Sequence, residues 1–400
     1  MTNHHGEERL KNLALTLTLL LLAATLASAA PANAAKPLNA NECVLRNIQK
    51  LKENRKATWS EKVVLSPATQ ARLNDSHPEH FTDSRGHQLF YQVVAPASPS
   101  GRTLLLLPGI NRSLLLVDEP VRALAERGYG IVMLQYSTQP HSVVALKPEV
   151  RPHFLDQAVS LDDLTAEVTE LADHLKRTGK KNLIPVSLSF SGSTSARLKG
   201  FQVAIDVVPM TSYAAANPGF QSVTSWFEST RWMNPFGTDW MQRNALDQAY
   251  RLHWEKEADS KIKAFGLRPS TKENIVQGYS AMSRAIEDFD WKNESPDKTA
   301  RRLIVVAEND ERSLLKNQIE SFQRLKAQGY AVNLVIVQGA GHGVFSSHPN
   351  SYSFLIDRFL KKKGFASSVS VLDPLAHTLE SVSAQDEDNL LSAYMNAPKN

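Results

Sequence analysis

Four short stretches of the 400-residue chain carry residue types whose setting suits nucleophilic chemistry. The first is Ser187-Leu188-Ser189-Phe190-Ser191-Gly192, directly after the apolar run at 183–186. A serine on a very tight strand-to-helix turn exposes its hydroxyl, and that turn accepts only small residues two positions before and after it. With Ser189 as the nucleophile these flanks are Ser187 and Ser191, small but not glycine, with Gly192 next. Ser191 also has small flanks, Ser189 and Ser193, but the register favours Ser189, which two residues separate from the end of the apolar run. The second stretch, Glu308-Asn309-Asp310-Glu311, follows the apolar run at 303–307. A carboxylate there can accept the N–H of a histidine, hold its tautomer and stabilise the imidazolium. Asp310 is the candidate, with Glu308 and Glu311 close enough to take its place. The third, Gln338-Gly339-Ala340-Gly341-His342-Gly343, follows the apolar run at 332–337, and its glycines let a loop carry the imidazole of His342 back toward the serine. Attack on a carbonyl places negative charge on its oxygen, and preorganised N–H donors must meet it. The backbone of Phe190 offers one donor. Leu107-Pro108-Gly109-Ile110-Asn111 offers the other at Ile110, where Gly109 permits close backbone approach.

These stretches need a scaffold that brings strand ends together. Residues 88–95 read as a strand begun by the turn Asp83-Ser84-Arg85-Gly86. The run at 103–107 (TLLLL) is continuously apolar, as in a strand buried on both faces. A helix from Pro120 to Gly128 leads to a strand at 130–134. Ser160 and Asp163 form a capping-box pair before Leu161, Leu164, Val168, Leu171 and Leu175, and Gly179 ends that helix. Strands at 183–186, 203–208, 303–307 and 332–337 follow, with helices over 315–329 and 352–360. Strand and helix alternate, which predicts an α/β fold built on a mostly parallel sheet with helices on both faces. Ligands bind such sheets outside the carboxyl ends of the strands, where the four stretches lie. Pro185 inside a central strand is at odds with the missing N–H.

The alternation breaks at 209–296, a helix-like segment holding five of the six tryptophans. We read it as a helical cap. Its aromatic residues, Trp226 and Trp232 among them, either pack with one another or line an apolar substrate pocket. Tyr136 and His141, after the strand at 130–134, are placed at the pocket rim or on a surface loop. The beginning of the chain reads as an export signal: Arg9 and Lys11, an apolar stretch at 13–26, then Ala27-Ser28-Ala29 and Ala32-Asn33-Ala34. This predicts a cleaved signal at 1–34, a secreted or periplasmic protein, and no stable membrane insertion after cleavage. An extension at 35–80 follows, in which His77-Pro78-Glu79-His80 reads as a surface turn rather than a metal pair. The tail at 365–400 shows one short amphipathic turn at Leu390, Leu391 and Tyr394 and reads as loosely docked. A single cysteine, Cys43, excludes an intramolecular disulfide. The net charge of +4 is small for this length and gives no support for nucleic-acid binding. Lys361-Lys362-Lys363 suits the end of a helix, where cations meet the helix dipole.

Taken together, the four stretches in their order resemble the α/β-hydrolase superfamily from about residue 81 to residue 364, with the break at 209–296 where that family carries its cap. The resemblance implies the α/β-hydrolase fold with a sheet of about eight strands, core segments at 81–208 and 297–364, and Ser189, Asp310 and His342 as a triad. It departs from the family in Ser187 for the glycine before the nucleophile and in an oxyanion loop without His-Gly. The expected activity is hydrolysis of a small-molecule carboxylic ester or thioester through an acyl-enzyme, without a metal or organic cofactor. An aminopeptidase or acyltransferase on the same residues, and a hydrolase-fold binding protein without activity, are the rival readings.

Overall fold

Apolar strand runs separated by amphipathic helices assemble into one ten-stranded sheet. The computed structural model describes residues 63–95, 101–110, 119–139, 142, 159–214, 278, 281–363, 365–374 and 376–396. Helix α1 (Pro67–Asn74) starts at Ser66, whose hydroxyl accepts the N–H of Thr69, with proline in the first turn. Strands β1 (His77–Thr82), β2 (Gln88–Val94) and β3 (Thr103–Leu107) follow. Then come α2 (Glu119–Glu126), β4 (Gly130–Gln135), α3 (Leu161–Arg177), β5 (Leu183–Leu188), α4 (Ser191–Arg197) and β6 (Val203–Val207). The chain goes on through β7 (Arg301–Asn309), α5 (Leu315–Ala327), β8 (Val332–Gly341), the short α6 (Val344–Ser347) and α7 (Pro349–Leu360). It ends with β9 (Val369–Asp373), β10 (Thr378–Ser381) and α8 (Glu387–Asn396). The capping box expected at α3 is present: Ser160 Oγ accepts the Asp163 N–H at 3.1 Å, and the Asp163 carboxylate accepts the Ser160 N–H at 2.9 Å.

The strand order is β1-β2-β4-β3-β5-β6-β7-β8-β9-β10. Neighbours from β4 through β9 are parallel, while β1, β2 and β10 join antiparallel. Side chains alternate across the sheet with the period of two that strands impose. Leu105 and Leu107 pack with Leu164, Val168 and Leu171 of α3 on one face, and Leu104 and Leu106 pack with Val121 and Leu124 of α2 on the other. From β3 the chain crosses one face to β4, then returns across the opposite face to β5. The sheet therefore switches winding direction between β3 and β5, and the loops leaving them part to open a crevice. Pro185 is accommodated because the β5–β6 ladder begins only at Val186, one residue later.

The sheet is wider than the eight strands expected, and it gains strands at both ends. His77-Pro78-Glu79-His80 is not a surface turn but the outer part of β1, paired antiparallel to β2. Pro78 fits there because an edge strand has ladder partners on one side only. The tail is not loosely docked. Residues 369–373 add β9 beside β8, residues 378–381 add β10, and Leu391 of α8 is fully buried in the core. Within 209–296 the structure describes 209–214, 278 and 281–296. Met282, Ile286, Phe289 and Trp291 belong to the core face shared with α3 and α5.

One charged pair lies inside this core. Arg302, on β7, bonds the carboxylate of Asp206, on β6, and both side chains are almost completely buried. Asp206 also accepts the Ser187 hydroxyl at 2.6 Å, and Arg302 donates to Ser195 Oγ at 3.1 Å and to its carbonyl at 3.2 Å. The guanidinium lies over the ring of Trp291, whose indole N–H donates to the Gly192 carbonyl at 3.0 Å. Breaking a buried pair leaves one charge uncompensated. Arg302→Met is therefore expected to cost about 3–5 kcal/mol. Ser187→Ala, which removes one hydrogen bond to a charged group, is expected to cost about 1.5–3 kcal/mol. Urea unfolding of the two variants checks this order, and a smaller loss for Arg302→Met than for Ser187→Ala would refute it.

Candidate active site

The turn after β5 holds Ser189 at φ +50°, in the left-handed region that non-glycine residues seldom occupy. Such a conformation costs about 1–3 kcal/mol and persists only when its surroundings impose it. Here the Ser189 N–H donates to the Val207 carbonyl at 3.0 Å, and the Ser189 carbonyl accepts the Met210 N–H at 2.9 Å. The end of β6 thus clamps both faces of the turn. A Cβ on Gly192 would lie 2.5 Å from Cβ and 2.9 Å from Cα of Pro209, so the glycine this turn requires stands three residues after Ser189. The two serines in the usual glycine places each use their hydroxyl: Ser187 on Asp206, and Ser191 on the Pro108 carbonyl and on the Tyr136 hydroxyl at 2.9 Å. Ser191 is fully buried in those contacts, whereas Ser189 is half-buried.

Strands β7 and β8 deliver the other two groups. Their ladder continues past a bulge to the pair Asn309 and Gly341, so the next residues of both strands, Asp310 and His342, emerge side by side. His342 Nε2 is 2.9 Å from Ser189 Oγ, and His342 Nδ1 is 2.9 and 3.0 Å from the two Asp310 carboxylate oxygens. An ionised carboxylate only accepts, which puts the histidine proton on Nδ1 and leaves Nε2 to accept from the serine. The Asp310 side chain is fully buried and His342 is 17% exposed, so the chain of bonds runs from the interior to the crevice. Asp310 also accepts the N–H groups of Arg312 at 2.8 Å and Ser313 at 2.9 Å, and the Gln318 amide at 3.2 Å. Glu308 serves elsewhere: it accepts the Gly339 N–H at 2.6 Å and anchors the loop before His342. Glu311 is exposed.

The loop after β3 lies against the same turn. Its Pro108 carbonyl accepts from Ser191, and its Gly109 carbonyl accepts the Gln139 amide at 3.1 Å. Among the described residues, the N–H groups of Ile110 and Phe190 are not donated to any protein acceptor. Trp226, Trp232 and His141 lie outside the described residues. Tyr136 is not at a rim or on a surface loop: it is fully buried under the turn, bonded to Ser191 and Thr194, and burial pushes its phenol far above the usual range, keeping it neutral. Sequence reasoning missed Gln139 and Gln318. Gln318 had a signal, since it stands between Leu315 and Ile319 on the apolar face of α5. Gln139 had none, because only the fold brings it to Gly109.

Among the described residues one group has metal-ligand types in proximity, Asp83, His87 and Glu167, with ligand atoms within 4.8 Å of one another. Its oxygens are already used. Asp83 accepts two backbone N–H groups and pairs with Arg85, and Glu167 accepts the Ser137 N–H at 3.1 Å and the Ser137 hydroxyl. The guanidinium of Arg85 opposes a second cation, and the group is an ion-pair cluster tying the β1–β2 turn to α3.

No protein-family model and no curated protein matches the chain. Solved structures do. The chain is similar to MGS-M2, an alpha/beta hydrolase enzyme from a Medee basin deep-sea metagenome library, with 15% identity and a TM-score of 0.50 over 72% of this chain and 99% of that one. An esterase from Exiguobacterium antarcticum (11% identity, TM-score 0.49, 70% and 98% covered) and an enol-lactonase from Burkholderia xenovorans (15%, 0.48, 71% and 100%) also align.

Two outcomes follow from the packing. Gly192→Ala drives a methyl into Pro209 and is expected to destabilise by about 1–3 kcal/mol; it should also slow any reaction of Ser189, because the turn must shift. Thermal unfolding and Ser189 labelling, measured together, check both effects. For His87, the Glu167 and Asp83 carboxylates raise the pKa above its ordinary value. The stability this adds is complete below about pH 6.5 and fades as the pH rises through the raised folded-state value. Urea unfolding across a pH series should show the gap between wild type and His87→Gln narrowing toward alkaline pH; a constant gap would refute the assignment.

Proposed function

We propose that this chain, which has the fold of the α/β hydrolases, is a serine hydrolase that cleaves carboxylic esters or thioesters through an acyl-enzyme. The observation that carries the reading is the continuous bonded line Ser189–His342–Asp310, ending in a serine held in a strained turn at the winding switch of the sheet. In this mechanism His342 Nε2 takes the Ser189 proton as Oγ attacks the carbonyl carbon. Asp310 holds the ring and stabilises the imidazolium. The N–H groups of Phe190 and Ile110 take the charge on the oxyanion. His342 then protonates the leaving group, and water activated by the same nitrogen releases the acid. No step requires a metal or organic cofactor. The substrate is a small-molecule acyl ester, and the basic, apolar and small-residue pattern at 1–34 supports export of the mature protein.

Purified mature protein treated with a fluorophosphonate should be labelled, and should turn over p-nitrophenyl esters. Ser189→Ala should abolish labelling and lower kcat by a factor on the order of 10⁶. Ser191→Ala keeps the nucleophile and should still label. Asp310→Asn should lower kcat about 10⁴-fold with substrate binding largely retained. A wild-type protein that neither labels nor turns over esters would sink the proposal.

A further inference from the structure

Gln139 lies outside the reacting atoms, yet it grips the peptide that carries one proposed oxyanion donor. Its side chain is fully buried in the turn after β4. Its Oε1 accepts the Tyr136 N–H at 3.0 Å, its own N–H donates to the Tyr136 carbonyl at 2.8 Å, and its Nε2 donates to the Gly109 carbonyl at 3.1 Å. The amide orientation is not arbitrary. A backbone N–H can meet only the amide oxygen, so the NH₂ group must face Gly109. The turn itself is fixed from α3, where buried Glu167 holds both the N–H and the hydroxyl of Ser137. Gln139 is therefore a rigid donor rather than a mobile one.

The Gly109 carbonyl and the Ile110 N–H belong to one planar trans peptide and point in opposite directions. Fixing one end fixes the other. The clamp matters because Gly109 has no side chain to limit rotation of this peptide, and a rotated peptide would present its oxygen, not its N–H, to a developing oxyanion. Resting on the hydrolase reading above, we propose that Gln139 is the positioning residue for the second oxyanion donor, holding the Gly109–Ile110 peptide so that the Ile110 N–H faces the substrate oxygen. Ser191 supports the same loop one residue earlier, through the Pro108 carbonyl.

Two variants test this on the full mature protein. Gln139→Leu removes both halves of the contact. Gln139→Glu keeps an oxygen for the Tyr136 N–H but, as a carboxylate, cannot donate to Gly109; protonated, it can. Each is assayed on p-nitrophenyl butyrate with rates expressed per fluorophosphonate-titrated site, so that a misfolded fraction does not count. Loss of one oxyanion donor lowers kcat about 10²–10³-fold, and both variants should approach that range with KM within about twofold of wild type. Affinity for a trifluoromethyl ketone, which mimics the tetrahedral adduct, should fall by the same factor as kcat/KM. For Gln139→Glu the activity relative to wild type should rise as the pH falls from about 8 to 5, through the carboxyl range. A protein that loses only packing would show neither the inhibitor parallel nor the pH-dependent recovery. Unchanged kcat and inhibitor affinity in both variants, or a rise in KM alone, would overturn the role of Gln139 while leaving the hydrolase reading standing. A wild type that neither labels nor turns over overturns both. Should Gln139→Leu fail to fold, the pH profile of Gln139→Glu decides alone.

Discussion

The strained backbone of Ser189 is the constraint on which the site depends. A non-glycine residue at φ +50° needs external enforcement, and here it comes from the neighbouring strand rather than from the turn itself. The end of β6 accepts the Ser189 N–H through Val207 and returns the Met210 N–H to its carbonyl. Pro209, between them, packs so closely on Gly192 that no side chain fits there. The position of the hydroxyl is thus set by the β5–β6 pairing. That pairing is set in turn by the core: Asp206 and Arg302 join β6 to β7 and, through Ser195, to the helix that follows the turn.

The substitution of serine for glycine on either side of Ser189 has a physical counterpart. Glycines at these places avoid crowding; serines avoid it almost as well and bring a hydroxyl that must be satisfied once buried. Both are. Ser187 turns down into the ion pair, and Ser191 turns across to the loop after β3 and to Tyr136. The Ser189 turn, the proposed oxyanion loop and the turn after β4 are consequently joined by side-chain hydrogen bonds in a buried environment, where such bonds are strong and costly to leave half made. The serines tie three strand ends together where glycines would leave them independent.

Much of this could be read from the residues alone. The apolar runs at 103–107, 183–186 and 332–337 mark strands buried on both faces, and the polar residues just beyond them mark the crevice side, because both signals depend on local order. The sheet's outer strands escaped. His77-Pro78-Glu79-His80 is polar and interrupted by proline, and an edge strand exposed on one side needs no apolar pattern. Strands β9 and β10 are short and sit among polar residues; β9 is ordered by pairing with β8 and β10 by pairing with β9, contacts that local sequence does not announce. Tyr136 looked like a rim residue because it follows a strand end. It is buried because Ser191 and Thr194 satisfy its hydroxyl, a partnership formed across 55 residues of chain. Gln139 and Gly109 meet for the same non-local reason.

Asp310 shows how the electrostatics follow from the architecture. A carboxylate buried this completely would be costly if left alone. It is instead met by two backbone N–H groups of the turn that follows β7, by Gln318 from the apolar face of α5, and by the imidazole. Glu308 and Glu311, two residues before and one after, differ in direction rather than in chemistry. Glu308 stands at the bulge between Ala307 and Asn309 and accepts the Gly339 N–H, and Glu311 stands in the open turn. Of three nearby acids, only the one placed directly beyond the last β7–β8 pair can face a histidine placed directly beyond the same pair. The choice of acid is therefore made by the register of two parallel strands. The same register fixes the ring of His342, so its Nε2 stands 2.9 Å from Ser189 Oγ.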